Sequence, residues 1–122
     1  MNCTEEILIL AIVVILYSIW KRSSQISTGS AVEHLKNGAL LIDVRSPAEF
    51  SSGHLPNAIN LPLEEIEVAL PRCVKDKNKV LLLHCQSGMR SGVAKTKLAG
   101  LGYANVFNLG SYGRAARIVS AS

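Results

Sequence analysis

Aromatic residues are scarce in this chain: one Trp, two Phe and three Tyr, or 5% of 122 residues. Charge of either sign is modest too, with 13 Lys and Arg against 9 Asp and Glu and a net charge of +4. The basic residues are scattered, and no basic stripe carries aromatics. Nucleic acid is therefore not an expected partner, and the charge reads as a solubility feature with a mild preference for anionic substrates. Cysteine is sparse. Cys3, Cys73 and Cys85 are odd in number and irregular in spacing, which argues against a disulfide framework and fits a reducing compartment. No C-x-x-C pair occurs, and His34, His54 and His84 lack metal-ligand spacing, so no metal is expected. The chain has no P-loop, internal repeat or low-complexity tract. Gly100-Leu101-Gly102 follows a helical segment instead of opening one, so it reads as a helix stop and not a dinucleotide site; no cofactor is expected.

What is present is a domain-sized tract behind an apolar block. Ile7 to Trp20 carries no charge and supplies much of the 48% hydrophobic content. The rest, Ser23 to Ser122, has ordinary composition and suffices for one buried core. Thr28 or Ser30 is placed to N-cap a helix over Ala31–Lys36, stopped by Asn37-Gly38. Ala39 to Val44 is apolar except for Asp43, as expected of a strand covered on both faces. Ser46-Pro47 opens a short helix that Gly53 ends. Leu55 to Pro62 holds two prolines and predicts extended chain with a brief edge strand at most. Leu63–Leu70 predicts a helix, Val80–His84 a strand, Ser91–Leu101 a helix, Ala104–Leu109 a strand and Tyr112–Val119 a last helix. Cys73 falls in the polar stretch Pro71–Lys79, as a loop or helix-end cysteine. The alternation implies an α/β fold: a small parallel sheet with right-handed crossovers and active residues at the strand C-termini.

One segment points to chemistry. The apolar run Val80–Leu83 leads through His84 to Cys85, then to a small Gly-containing loop, Arg90 and a helix start. A thiol placed between a strand end and a helix N-terminus meets free N–H groups and the positive end of the helix dipole, which favour a thiolate or another anion. Cys85-Gln86-Ser87-Gly88-Met89-Arg90-Ser91 resembles the active-site loop C-x-x-G-x-R-S of single-domain rhodanese sulfurtransferases. Leu40-Leu41-Ile42-Asp43-Val44-Arg45 resembles that family's strand ending in Asp-Val-Arg. Gly53-His54-Leu55-Pro56-Asn57-Ala58-Ile59-Asn60-Leu61-Pro62 resembles its G-H-x-P-x-A-x-N-x-P signature. The three occur in family order, and the match runs from about Gln25 to Arg117. The resemblance implies helices on both faces of the sheet.

It also implies a sulfurtransferase. Cys85 would accept sulfane sulfur from a small anionic donor such as thiosulfate, hold it as a persulfide and pass it on. The acceptor would be cyanide, a small thiol or a protein thiol. Gln86, Ser87, Gly88, Met89, Arg90 and Ser91 would form the substrate loop, whose N–H groups lower the thiol pKa. Gly88 permits a turn with no side chain crowding the sulfur. Arg90 has two open readings: a cation for the donor, or a structural ion pair, for instance with Asp43. Ser91 is an N-cap or first-turn residue. Asp43 and Arg45 are expected to pair and support the loop, and His54 to make a structural hydrogen bond. His84 alternates to the face opposite Cys85 and is not expected to be its partner.

Two other activities use a similar thiol. Phosphatases, including rhodanese-fold ones, use a longer C-x5-R cradle, whereas Cys85 and Arg90 are spaced C-x4-R. Oxyanion reductases usually want a second cysteine nearby. A third reading is a catalytically quiet, membrane-tethered interaction module, against which the intact Cys85 argues. The family closes with Gly-Gly and an aromatic, often Trp; here Gly110-Ser111-Tyr112 stands instead. That departure bears on the seating of the last helix and on the substrate cleft, not on the nucleophile.

The apolar block fits a membrane anchor, so the expected organisation is an anchor over residues 1–22 and a rhodanese-like domain over 23–122. As a helix, Ile7–Trp20 would span about 21 Å, short of the ~30 Å hydrocarbon core. A signal peptide wants a basic start, but Glu5 and Glu6 stand there. A buried core helix has no vacancy in the rhodanese fold. Tyr17 and Trp20 suit the interface belt, and Lys21 and Arg22 would stop transfer. With no Lys or Arg before the block, the expected topology is single-pass with the domain on the cytoplasmic side. Ser23-Ser24-Gln25 would be the linker.

Overall fold

The computed structural model describes residues 2–23 and 25–122, with backbone only for 21–23. The side chains of Lys21 and Arg22, and Ser24 of the expected linker, lie outside the described residues. Helix α1 spans Cys3–Ser23. It is longer than the apolar run because it begins before the run does. The Asn2 side chain accepts a hydrogen bond from the Glu5 N–H (3.0 Å), and Glu5 and Glu6 occupy the first turn, where acidic groups favour the helix dipole. Its 21 residues reach about 31 Å, comparable to a bilayer's hydrocarbon core, although the uncharged run within it is shorter. The stretch Cys3–Trp20 has a mean hydropathy of 2.0 and none of it is buried. By length and composition this helix is able to cross a membrane, a property that signal sequences share.

The remaining order is α2 (Thr28–Lys36), β1 (Leu40–Asp43), α3 (Pro47–Ser52), β2 (Ile59–Asn60), a 3-10 turn (Leu63–Glu65), α4 (Ile66–Cys73), β3 (Leu81–His84), α5 (Met89–Gly100), β4 (Val106–Gly110) and α6 (Tyr112–Ala121). The four strands form one parallel sheet in the order β2-β1-β3-β4. Strands β1 and β3 pair from Leu40↔Leu81 to Asp43↔His84, so both end at the same level. Alternation divides their side chains. Ile42, Leu81 and Leu83 pack with Ile66, Leu70, Ala94 and Leu98 of α4 and α5 on one face. Leu41 and Leu82 pack with Ala31, Ala115 and Ile118 of α2 and α6 on the other. Each fully buried Leu or Ile contributes about 1.5–3 kcal/mol, and this two-sided burial is why β1 and β3 read as apolar runs up to their last residues, Asp43 and His84.

Local chemistry sets the ends. Ser46 and Glu49 form a capping box at α3, with Pro47 in the first turn and Gly53 closing it. The N-cap of α2 is Ser27, whose hydroxyl accepts from the Ser30 N–H (3.3 Å), instead of Thr28 or Ser30. The expected single helix after Pro62 is a 3-10 turn followed by α4, which ends at the exposed Cys73. Despite the substituted Gly-Gly pair, α6 is firmly seated: the Ser111 hydroxyl caps it by accepting from the Arg114 N–H (3.2 Å), and Ala115 and Ile118 are buried.

Candidate active site

Strand β3 delivers Cys85 to the C-terminal end of the sheet, and α5 starts four residues later. Between them the chain curls around the thiol. The Gly88 N–H donates to Cys85 Sγ at 3.0 Å, and the Ser91 hydroxyl lies 3.5 Å from the same sulfur. Burial pushes the thiol up. The Ser91 hydroxyl and the N–H groups of Ser91, Gly88 and Ser87 outweigh it, so Cys85 titrates below its ordinary value. Gly88 turns the loop at φ +95, and a Cβ there would meet the Gly110 backbone at 3.1 Å.

Ser91 occupies the first turn of α5, as expected, and is fully buried. The single proton of its hydroxyl serves either Cys85 Sγ or Asn108 Oδ1, which lies at 2.7 Å, and Asn108 Nδ2 donates to the Gly88 carbonyl at 3.2 Å. Asn108 Oδ1 also accepts from the Gly110 N–H at 2.8 Å. The Asn108 side chain thus ties the α5 side of the thiol loop to β4. Ser91→Ala is expected to raise the Cys85 pKa while leaving Asn108 anchored by Gly110. The pH profile of iodoacetamide alkylation should shift upward; an unmoved profile would assign the low thiol pKa to the N–H groups alone.

Arg90 is paired, but not with Asp43. Its guanidinium grips Glu49 through two bonds, 2.6 and 2.9 Å, joining α5 to the capping box of α3. The Arg90 pair and the Ser46 backbone N–H hold the Glu49 carboxyl at about 2, below its ordinary value of 4.5. The Glu49 contact and the charge of Cys85 raise the Arg90 pKa. Because the folded carboxyl titrates lower than the unfolded one, the tie is fully stabilising above 4.5 and fades as pH falls toward 2. Both side chains are 35% exposed, so solvent screening keeps the stability effect small. The expected result is an NMR titration of the Glu49 carboxyl with its midpoint near the lower value; a midpoint near 4.5 would overturn the pairing.

Asp43 and Arg45 meet as expected. Asp43 ends β1 with its carboxylate fully buried and accepts from Arg45 Nε (3.0 Å to each oxygen), Arg45 Nη2 (2.8 Å) and the Arg45 backbone N–H (2.9 Å). Arg45 Nη2 also donates to the Gly53 carbonyl at 2.7 Å, and the guanidinium lies 4.7 Å from the centre of the Tyr112 ring. Asn60 Nδ2 donates to the carbonyls of Asp43 and Arg45, which fixes the Gly53–Pro62 segment to β1. His84 sits on the far side of β3 from the thiol, buried, with Nε2 3.7 Å from Asp43 Oδ2. Burial pushes the His84 pKa down. His54 stays apart from the thiol loop: its ring stacks on Phe50 at 3.8 Å and Nδ1 lies 2.9 Å from the Phe50 carbonyl.

Beside the loop opens a cleft of about 310 Å³ lined by Arg45, Glu49, Ser52, Gly53, Gln86 and Tyr112. Gln86, Ser87 and Met89 are exposed at the loop. Among the described residues no group of three or more His, Cys, Asp and Glu is placed to hold a metal ion. Sequence reasoning missed Asn108, Glu49 and Gln25. The Gln25 side chain packs so closely over Gly110 that a Cβ there would meet its amide nitrogen at 2.7 Å. The S-x-x-E spacing of Ser46 and Glu49 marks a capping box in the sequence, but the pairing of Glu49 with Arg90, of Asn108 with Ser91 and Gly88, and of Gln25 with Gly110 joins residues far apart, which no local pattern marks.

A parallel sheet with helices on both faces and a single thiol in an N–H-lined loop at its C-terminal end defines a class of small α/β domains built around one cysteine. A family model described as "Rhodanese-like domain" matches residues 27–113, and the chain belongs to that family. It is 41% identical over 69 residues to the thiosulfate sulfurtransferase PspE of Escherichia coli (strain K12), an alignment covering 57% of this chain and 66% of that protein. The chain therefore spans just under two thirds of that relative's length. Among solved structures, it resembles a rhodanese with anions from E. coli (36% identity, TM-score 0.61, 63% of this chain and 91% of the other). It also resembles a human single-domain sulfurtransferase (28% identity, TM-score 0.65, 77% and 96%).

Proposed function

We propose that residues 23–122 form a sulfurtransferase domain and residues 1–22 its membrane anchor. The Cys85 thiolate attacks the sulfane sulfur of an anionic donor such as thiosulfate. A new S–S bond forms, the sulfur–sulfur bond of the donor breaks, and sulfite leaves with the electron pair. Cyanide, a small thiol or a protein thiol then attacks the outer sulfur of the persulfide, and Cys85 leaves as thiolate. No general base is required, because the lowered pKa of Cys85 favours the thiolate, which is itself the nucleophile. The N–H groups around Sγ would stabilise the negative charge on the persulfide as they do on the thiolate.

The observation that carries this reading is the loop itself: Gly88 N–H and the Ser91 hydroxyl converge on Cys85 Sγ. Arg90, held by Glu49, supplies positive charge near the sulfur while its fork is already occupied. That occupancy favours sulfur over phosphoryl chemistry, in which the loop arginine grips the phosphate. Cys3 and Cys73 sit on α1 and α4, away from the loop, which disfavours a two-cysteine reductase. The proposed topology, single-pass with the domain in the cytoplasm, is supported by the length of α1 and by Lys21 and Arg22, which follow its apolar run.

Intact-mass analysis after incubation with thiosulfate tests the chemistry. The expected product gains one sulfur atom, which cyanide discharges as thiocyanate. A folded, reduced protein that gains none would overturn thiosulfate as donor.

A further inference from the structure

We propose that the Cys85 loop works against the lipid surface, with Met89 and Val93 dipping into the interface beside it. This rests on the reading of α1 as a membrane anchor. Chain connectivity places the loop near the anchor. Helix α1 ends at Ser23, and Gln25 already pairs with Asn108 of β4, while the Ile26 N–H bonds the Asn108 carbonyl (3.0 Å). Two residue steps span at most about 7 Å. The Gln25 amide in turn lies 3.3 Å from where a Gly88 Cβ would stand, and Gly88 supplies the N–H that holds the thiol. The domain-side end of the tether is therefore pinned to the back of the thiol loop, two residues from the end of α1. The opposite end of the sheet is farther off by the length of β3, about 13 Å.

The surface next to that pin carries two exposed apolar side chains beside the polar Gln86 and Ser87. Outside α1, the exposed large apolar side chains among the described residues are Val68, Met89, Val93 and Leu101. Met89 directly follows Gly88, and Val93 stands one turn on, so the two share a face of α5. Single exposed apolar residues are ordinary; a pair beside the point where an apolar helix enters the domain has a lipid surface to meet. Depth agrees as well. Tyr17 and Trp20, with ring centres 6.2 Å apart, lie in the last turns of α1, the end that leads to Gln25. Aromatic rings of this kind sit at headgroup depth. The apolar face of a domain held there reaches about 5–10 Å into the boundary region.

Depth-dependent quenching tests the placement in the full chain. In a Trp20→Phe background, Met89→Trp, Val93→Trp and Lys75→Trp each carry a single indole. Lys75 is exposed just before β3, at the far end of the sheet. The proteins are reconstituted in phosphatidylcholine vesicles brominated near the top of the acyl chains. The expected result is blue-shifted, quenched emission from Met89→Trp and Val93→Trp and neither effect from Lys75→Trp. Vesicle flotation is run alongside. Protein that floats but shows no more quenching at 89 and 93 than at 75 overturns the proposal and leaves the anchor standing. Protein that does not float overturns both, and neither outcome touches the sulfur-transfer reading, which the mass assay decides. Should Met89→Trp fail to fold, Val93→Trp alone decides between the same outcomes, because Val93 is an exposed helix position.

Discussion

Cys85→Ser is expected to take up no sulfur from thiosulfate and to reduce transfer to background, a loss on the order of 10^6-fold of the kind seen when a nucleophile is removed. The cause is chemical. A hydroxyl in the same N–H cradle remains protonated at neutral pH, and oxygen does not form the chain of sulfur–sulfur bonds that transfer requires. The substitution is gentle on the fold. A serine oxygen accepts from the same Gly88 N–H, so stability should change by about 1 kcal/mol or less. Turnover with thiosulfate and cyanide, read together with a thermal melt, separates the two effects. Retained turnover in the serine protein would move the sulfur carrier elsewhere.

Asp43→Asn is expected to carry the largest stability loss, about 3–5 kcal/mol. Asn preserves shape but removes the charge opposite Arg45, whose residue is only 5% exposed. The guanidinium would then be buried over Tyr112 with no carboxylate bonded to it, beside the carbonyl of Gly53. The pair with Asp43 holds the Arg45 pKa above its ordinary value, which is another expression of that dependence. His84 offers no relief, since burial keeps it neutral. Against a total of about 5–15 kcal/mol for a domain of this size, such a loss is large. Urea unfolding should show a lowered midpoint with an unchanged slope. The double variant Asp43→Asn/Arg45→Met should recover part of the loss, because no buried charge is left unpaired. A single-variant loss below about 1 kcal/mol would mean that water reaches Arg45.

Much of this architecture is legible in the sequence because it is local. The runs Ala39–Val44 and Val80–His84 are apolar on consecutive residues apart from Asp43 and His84, as strands covered on both faces require, and they become β1 and β3. Ser46, Pro47 and Gly53 mark both ends of α3 with the residues its caps need. The thiol loop is legible for the same reason: a strand, a short Gly-containing turn and a helix start are contiguous. What escapes is long-range pairing. Arg90 offers no clue that its partner is Glu49 and not Asp43, because the choice depends on how α3 lies against α5. Asn108 reads as one more strand residue, yet its amide closes the loop through Ser91, Gly88 and Gly110. The starts of α1 and α2 are set by single caps, Asn2 and Ser27, that apolar periodicity does not weigh.

The outermost strands have a consequence for crowding. A long bare strand edge is a template on which another chain can add itself and begin to aggregate. Here β2 is two residues long and is bracketed by Pro56 and Pro62, which cannot donate to a growing ladder. The other side, β4, is covered where Gln25 and Ile26 join Asn108. Copies confined to a two-dimensional layer would collide far more often than copies free in solution. With one side short and the other interrupted at its middle residue, those collisions meet only short rows of open backbone groups.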